Sequence, residues 1–283
     1  MPEVRLQGGP VDGIGIHYVV EGRGPAVVLI HGLAGFAESW RHNLPVLAGR
    51  ARVYALDLPG FGQSDKPGGA YDLAFFAHAV RAFLDAAAIP SASLVGHSLG
   101  GAVAVATALT YPTRVERLAL LGGVVAGCPF RPSFPLRTLA RRPLGELLAL
   151  LGCAPVYRVA MAACFHRPDP AEIDYHVRWA YDARTAWPAR AAYLATLRGT
   201  GRDLVERGEV WRRVLRTLEH PALVIHGRAD RIVLPRHGEA VMEALPRRIA
   251  RWIDACGHFP HIEHAGTVNE WLAAFLAGRP AAR

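Results

Sequence analysis

Gly96-His97-Ser98-Leu99-Gly100 is the stretch from which the fold is read. It lies between an apolar run at residues 93–95, which reads as a buried strand, and an alanine-rich run at 99–111, which reads as a helix. A serine at so sharp a strand-to-helix turn is forced into strained backbone, so the residues two places to either side must lack a Cβ. Gly96 and Gly100 meet that need. The same turn would lift the Ser98 hydroxyl above the carboxyl edge of a sheet and aim a helix N-terminus at developing negative charge. A tight glycine-rich turn without chemistry is the plain alternative, and the strand and helix on either side favour the nucleophile.

Working outward, short buried runs alternate with helical ones. Residues 13–21 read as an edge strand, 26–30 (AVVLI) and 52–56 as buried strands with a helical stretch at 39–47 between them, and 73–88 as a helix. After the central turn come a strand at 115–121, then 222–225 (ALVI), a helix at 235–245, a strand at 249–253 and a final helix at 265–276. The rhythm predicts an α/β fold with a mostly parallel sheet and helices on both faces. Residues 124–216 break it: they hold no strand signal and many Pro and Arg, and they read as a helical cap inserted between two parts of one core, 1–123 and 217–283.

A serine needs a base that is itself oriented by a third group. Asp230, in HGRAD at 226–230, and His258, in CGHFP at 256–260, each follow a predicted strand, where open parallel sheets place their sites. They are the expected acid and base, with His261 and His264 as weaker competitors for the base and a turn-capping role as the alternative for Asp230. The first buried strand ends in His31-Gly32-Leu33-Ala34-Gly35. Backbone N–H groups of Leu33 and Leu99 are the expected oxyanion donors, with His31 expected to fasten its loop. Asp57, before Pro59 and Gly60, reads as a turn former.

HGLAG (31–35), DLPGFGQSDKP (57–67), GHSLGG (96–101), HGRADRIV (226–233) and GHFPHIEHA (257–265) together resemble the α/β-hydrolase superfamily over nearly the whole chain. The resemblance implies an eight-stranded sheet, a helical cap after the sixth strand, the triad Ser98, Asp230 and His258, and oxyanion amides on Leu33 and Leu99. Serine at the turn separates the chain from the aspartate-bearing dehalogenase and epoxide hydrolase relatives. HGLAG lacks the HGGG run of hormone-sensitive-lipase-like esterases and looks like the branch holding carboxylesterases, ring-cleavage carbon–carbon hydrolases and cofactor-free haloperoxidase-like enzymes.

Cleavage of small to medium, mainly apolar carboxylic esters through an acyl-enzyme is the leading expectation, with no cofactor and no metal. A carbon–carbon bond hydrolase of a ring-cleavage product is the alternative, and a small-molecule receptor on a hydrolase scaffold stands third. Of the cap aromatics, Tyr157, Phe165, Trp179 and Trp187 are the candidates for an apolar substrate pocket.

Composition narrows the rest. With 51% hydrophobic and 20% charged residues the 283-residue chain is globular rather than disordered. The net charge of +8 is concentrated: residues 125–216 carry 15 Arg against 8 Asp or Glu. Since 31 of the 32 basic residues are Arg, a coding preference explains the excess better than nucleic-acid binding, and steering of an anionic substrate is the remaining use. The apolar stretch 144–164 is interrupted by Gly145, Glu146, Gly152, Pro155 and Arg158, so no membrane span is expected. The first residues lack a secretory apolar run, and the four cysteines show no CxxC pair. A cytoplasmic protein with mostly buried, reduced thiols is expected; oligomeric state is not legible.

Overall fold

Eight strands form one sheet in the order β1-β2-β4-β3-β5-β6-β7-β8 in the computed structural model, which describes residues 3–182 and 185–278. The strands are β1 (Glu3–Arg5), β2 (Gly15–Glu21), β3 (Ala26–Ile30), β4 (Arg52–Leu56), β5 (Ala92–His97), β6 (Val115–Leu121), β7 (Ala222–Gly227) and β8 (Arg248–Ile253). From β4 to β8 all neighbours are parallel, and β1 and β2 add antiparallel pairs at one side. The stretch expected at the edge is therefore one place in: β1, three residues long and too short to announce itself by alternation, covers β2.

The helices are α1 (Leu44–Ala48), α2 (Leu73–Ala86), α3 (Leu99–Thr110), α4 (Phe134–Ala140), α5 (Leu144–Leu151), α6 (Ala154–Ala162), α7 (Pro170–Asp182), α8 (Trp187–Gly201), α9 (Gly208–Leu215), α10 (Pro235–Ala244), α11 (Pro260–Glu263) and α12 (Ala265–Leu276). Two apolar layers cover the sheet. One is built with α2, α3 and α10, the other with α1 and α12, so β3 and β5 to β7 place apolar residues on both faces, as the runs AVVLI, LV, LALL and ALVI within them allow. The stretch expected as one helix at 39–47 is a 3₁₀ turn, Ala37–Trp40, followed by α1.

Helix α3 is rich in Ala and Gly because it lies wedged between the sheet and α2, and it is buried from Leu99 to Ala108. Gly100 shows the tolerance: a Cβ there would overlap the carbonyl oxygen of Ile30 on β3. Between β6 and β7 the chain leaves the sheet for α4 to α9, and among the described residues of that excursion no strand forms.

The loop after β4 is fastened by Asp57. Its carboxylate accepts N–H groups from Ala37 (2.6 Å) and Gln63 (2.7 Å) and pairs with His17 on β2 at 2.8 Å. The hydrogen bond to Asp57 raises the His17 pKa above its ordinary value, against the opposing effect of burial. Asp57 thus holds three segments together, a larger structural task than the turn its sequence suggests. His31 fastens the neighbouring loop, donating from Nδ1 to Gly32 O (2.7 Å) and accepting the Leu58 amide at Nε2 (3.0 Å).

Candidate active site

Strand β5 ends at His97, and Ser98 follows with φ 53° and ψ −119°. A non-glycine residue there costs roughly 1–3 kcal/mol and persists only where neighbours over-determine it. They do: Ser98 donates its N–H to Leu121 O (3.0 Å), and its carbonyl accepts from Gly101 (3.0 Å) and Val124 (3.2 Å). A Cβ at Gly96 would overlap the Gly100 carbonyl, and one at Gly32 would come within 2.9 Å of the Ser98 Cβ. Both glycines are thus read by sterics, and the second brings the loop after β3 against the serine.

Asp230 and His258 arrive from the loops after β7 and β8. His258 Nδ1 donates to Asp230 Oδ2 at 2.8 Å, and Ser98 Oγ donates to His258 Nε2 at 3.0 Å. The second carboxylate oxygen of Asp230 accepts the amides of Ile232 (2.8 Å) and Val233 (2.9 Å), which fixes its plane. Burial alone would raise the Asp230 pKa; the charge and hydrogen bond of His258, with His226 and the Ile232 amide, outweigh it and hold the carboxyl below its ordinary value. The arrangement keeps the acid ionised, the imidazole oriented and the hydroxyl beside a proton acceptor, which is the geometry of an activated nucleophile. His261 lies beneath the site, fully buried against Trp40 and His97, and His264 bonds the Ala255 carbonyl, so neither competes as the base.

Contacts that sequence reading missed hold the base in place. His97, beside the serine, donates from Nε2 to the carbonyl of His258 (2.8 Å); burial, together with the nearby His258, pushes its pKa well below the ordinary value, so the ring is neutral. The N–H of His258 itself donates to Cys164 O (2.7 Å) in the excursion between β6 and β7. Glu263, on α11, completes a bridge: one oxygen accepts the Gly257 amide (2.8 Å) and the other the His166 amide (2.7 Å). Gly257 is glycine because a Cβ would lie 2.5 Å from Cys164 O and 2.7 Å from His166 N. The one carboxylate in the GHFPHIEH run, five residues after His258, was the available signal. Cys256, fully buried with its thiol pKa raised by burial, packs behind this loop. Of the four free cysteines, two are buried rather than most: Cys128 and Cys256 are enclosed, Cys164 is intermediate and Cys153 is exposed.

Ser98, His258, Leu33 and Leu99 all line one cavity of about 1460 Å³. Among the described residues neither the Leu33 nor the Leu99 amide donates to a protein acceptor, as the first N–H of a helix and a loop amide aimed at a substrate oxygen would be left. Tyr157 lines the cavity, with Phe36, Leu136, Leu139, Val156 and Leu197. Phe165, Trp179 and Trp187 do not. Phe165 is buried behind the wall against Phe259 (5.1 Å), Trp179 stacks on the far side of Phe36 (6.0 Å), and Trp187 begins α8 at 48% exposure. Aromatic content marked the right segment, but which face of each helix turns inward is decided by tertiary packing.

The cavity is strongly basic. Among the described residues, Arg131, Arg137, Arg141, Arg142, Arg190, Arg198 and Arg202 line it against one acid, Glu206.

Comparison with known proteins agrees with this architecture. A family model described as alpha/beta hydrolase fold matches residues 25–151. The 2-hydroxymuconate semialdehyde hydrolase of Pseudomonas sp. (strain CF600) is 30% identical, over 92% of this chain and 90% of that protein. Among solved structures, the meta-cleavage product hydrolase of Pseudomonas fluorescens IP01 superposes with a TM-score of 0.82 at 25% identity, covering 98% of each chain. The 2-hydroxy-6-oxo-6-phenylhexa-2,4-dienoate hydrolase of Rhodococcus sp. strain RHA1 gives 0.81 at 26%, again over 98% of each. With a relative this similar over nearly its whole length and the sheet order and strained serine turn already described, the chain belongs to the α/β-hydrolase family and is a hydrolase.

Proposed function

We propose that this hydrolase cleaves a carbon–carbon bond in a 2-hydroxy-6-oxo-dienoate, the class of acid named for the relatives above. The observation that carries the reading is the charge of the cavity that holds Ser98: seven arginines line it against one acid, and although Arg142 and Arg198 pair with Glu146 the rest leave an excess of positive charge that an uncharged ester has no group to match. A ring-cleavage product has two, a carboxylate at C1 and the oxygen at C2 onto which charge moves during cleavage.

In this reading the substrate first ketonises, its C2 hydroxyl proton passing to C5. Ser98 Oγ then attacks the C6 carbonyl as His258 Nε2 takes its proton, and the Leu33 and Leu99 amides hold the oxyanion. The C5–C6 bond breaks and its electron pair runs along the conjugated chain to the C2 oxygen, which takes up the proton. Acyl-Ser98 and a 2-hydroxypenta-2,4-dienoate result. Water, deprotonated by His258, releases the acyl group as a carboxylic acid. The protein supplies nucleophile, base, oxyanion donors and countercharge.

Ester hydrolysis, the leading expectation from sequence, uses the same triad and is favoured by the apolar wall around Tyr157, but an uncharged ester offers the basic lining no carboxylate. The two readings separate on turnover of 2-hydroxy-6-oxo-6-phenylhexa-2,4-dienoate, followed by loss of its dienolate absorbance, against p-nitrophenyl butyrate. The carbon–carbon reading expects kcat/KM for the dienoate to exceed that for the ester by at least about 100-fold, and Ser98→Ala to lose roughly 10⁴-fold on both. Rapid ester turnover with an untouched dienoate would return the assignment to an esterase.

A further inference from the structure

Helix α5 is inside out. Its inward face is Gly145, packed so closely that a Cβ would overlap the Leu139 carbonyl, and Glu146, paired with Arg198 at 2.8 Å. Its outward face is leucine: Leu144, Leu147, Leu148, Leu150 and Leu151 are all exposed, from 37% to 69%. At 100° per residue these five cover nearly half the helix circumference. The apolar surface continues onto both flanks. Phe134, on α4, is 78% exposed, and Trp187 lies one turn before Arg190, whose guanidinium bonds Leu150 O at 3.1 Å. Exposed leucines scattered singly need no explanation, but a helix that turns its whole apolar face outward does.

The surroundings identify what covers it. Arg137, Arg141 and Arg142 sit immediately before this helix, and among the described residues Arg137 and Arg141 have no carboxylate partner. A second copy seated here would bring together two segments that each carry 15 Arg against 8 acids, so like charge opposes that contact. A nucleic acid would satisfy the arginines and leave the leucines in water. A surface that is apolar at depth and negatively charged at its rim satisfies both. Helix α5 has eight residues, far too few to cross a bilayer, and the turn between it and α6 bends the chain by 101°, which suits a segment lying in the plane of such a surface.

The geometry points to this face of α4, α5 and the start of α8 as a docking surface for an anionic lipid bilayer, with the leucines of α5 in the headgroup boundary and Arg137, Arg141 and Arg142 on the lipid phosphates. The three arginines and Leu148 also line the cavity that holds Ser98, so docking sets the mouth of the active site against the lipid. The enzyme would then meet a substrate with an apolar tail at the lipid surface rather than in bulk water. The inference concerns delivery and holds for an ester or a dienoate alike.

Co-sedimentation of the full chain with vesicles tests it, using phosphatidylcholine alone and phosphatidylcholine mixed with phosphatidylglycerol. The expected result is binding to the mixed vesicles on the order of 100-fold tighter than to the neutral ones, at about fivefold per arginine at low ionic strength, and largely abolished by 0.5 M salt, where the Debye length is under about 5 Å. Leu147→Ser combined with Leu151→Ser, neither of which lines the cavity, should weaken vesicle binding at least about tenfold while turnover of a water-soluble substrate is retained. Equal affinity for both vesicles, no binding to either, or binding untouched by the double substitution would each overturn the proposal. So would sedimentation equilibrium showing a dimer that the double substitution dissolves, which would assign the leucine face to a second copy.

Discussion

Glu263→Gln tests whether the position of the base is set from outside the triad. The wild-type carboxylate accepts two amides, Gly257 at 2.8 Å on the loop of His258 and His166 at 2.7 Å across the gap. A glutamine keeps the shape but offers one oxygen, so one of those N–H groups must face an NH₂. A hydrogen bond to a charged group contributes about 1.5–3 kcal/mol. If that loss is expressed at His258, which depends on the same loop for its reach to Ser98, kcat falls roughly 10- to 150-fold. Neither Glu263 nor His166 lines the cavity itself, so KM should stay within about threefold. Steady-state kinetics on p-nitrophenyl butyrate or the dienoate, beside thermal unfolding of the same samples, reads both quantities. Glu263→Asp retains the charge but is one methylene short of spanning both amides, and partial recovery of kcat is expected. A glutamine variant with a lower melting temperature and kcat within about twofold of wild type would refute the reasoning and reduce Glu263 to a fastener.

Three further outcomes follow from the geometry. Asp230→Asn removes the charge that orients the His258 tautomer, and kcat should fall by about 10³- to 10⁴-fold with the fold intact by circular dichroism. Gly100→Ala drives a Cβ into the Ile30 carbonyl, backbone that no rotamer change can relieve, so urea unfolding should show a loss of at least about 3 kcal/mol or no folded protein. The third concerns pH. The Asp57 hydrogen bond raises the His17 pKa above 6.5 in the fold, so its contribution is complete below about pH 6.5 and is lost as pH rises through the higher folded value. His31, His97 and His261, whose pKa values burial lowers, tilt stability the other way, so the test is a difference: His17→Asn should cost more stability at pH 6 than at pH 8 in urea titrations. An equal cost at both values would refute a raised His17 pKa.

What the sequence made legible is what backbone sterics dictate. Gly96 and Gly100 are read correctly because a missing Cβ is visible in one letter, and strands β3, β4 and β6 are found to the residue because each carries an apolar run of four or five residues where the sheet is covered on both faces. Ser98, Asp230 and His258 are brought together as expected from their places after β5, β7 and β8, since the carboxyl edge of a parallel sheet converges its loops. The rest depends on partners distant in sequence. The bond from His97 to the His258 carbonyl spans 161 positions, and the Glu263 bridge to His166 spans 97; neither leaves a local pattern. Phe165, Trp179 and Trp187 failed as pocket residues for the same reason, because helices that pack on two sides carry apolar residues on more than one face.

The bridge also explains why a structural glycine stands beside the catalytic base. In the excursion between β6 and β7, Cys164 and His166 meet the backbone of Gly257 and His258 directly, so the cavity wall and the loop that carries His258 share hydrogen bonds. A displacement of that wall by a substrate must either break the bond from His258 N to Cys164 O or carry His258 with it. The distance from Nε2 to Ser98 Oγ, 3.0 Å here, is then a readout of how the cavity is filled. On the proposed carbon–carbon reading, selectivity between a dienoate and an ester need not reside in the triad: a substrate that engages the arginines and seats the wall would align His258, and one that leaves the wall loose would be bound without being cleaved efficiently.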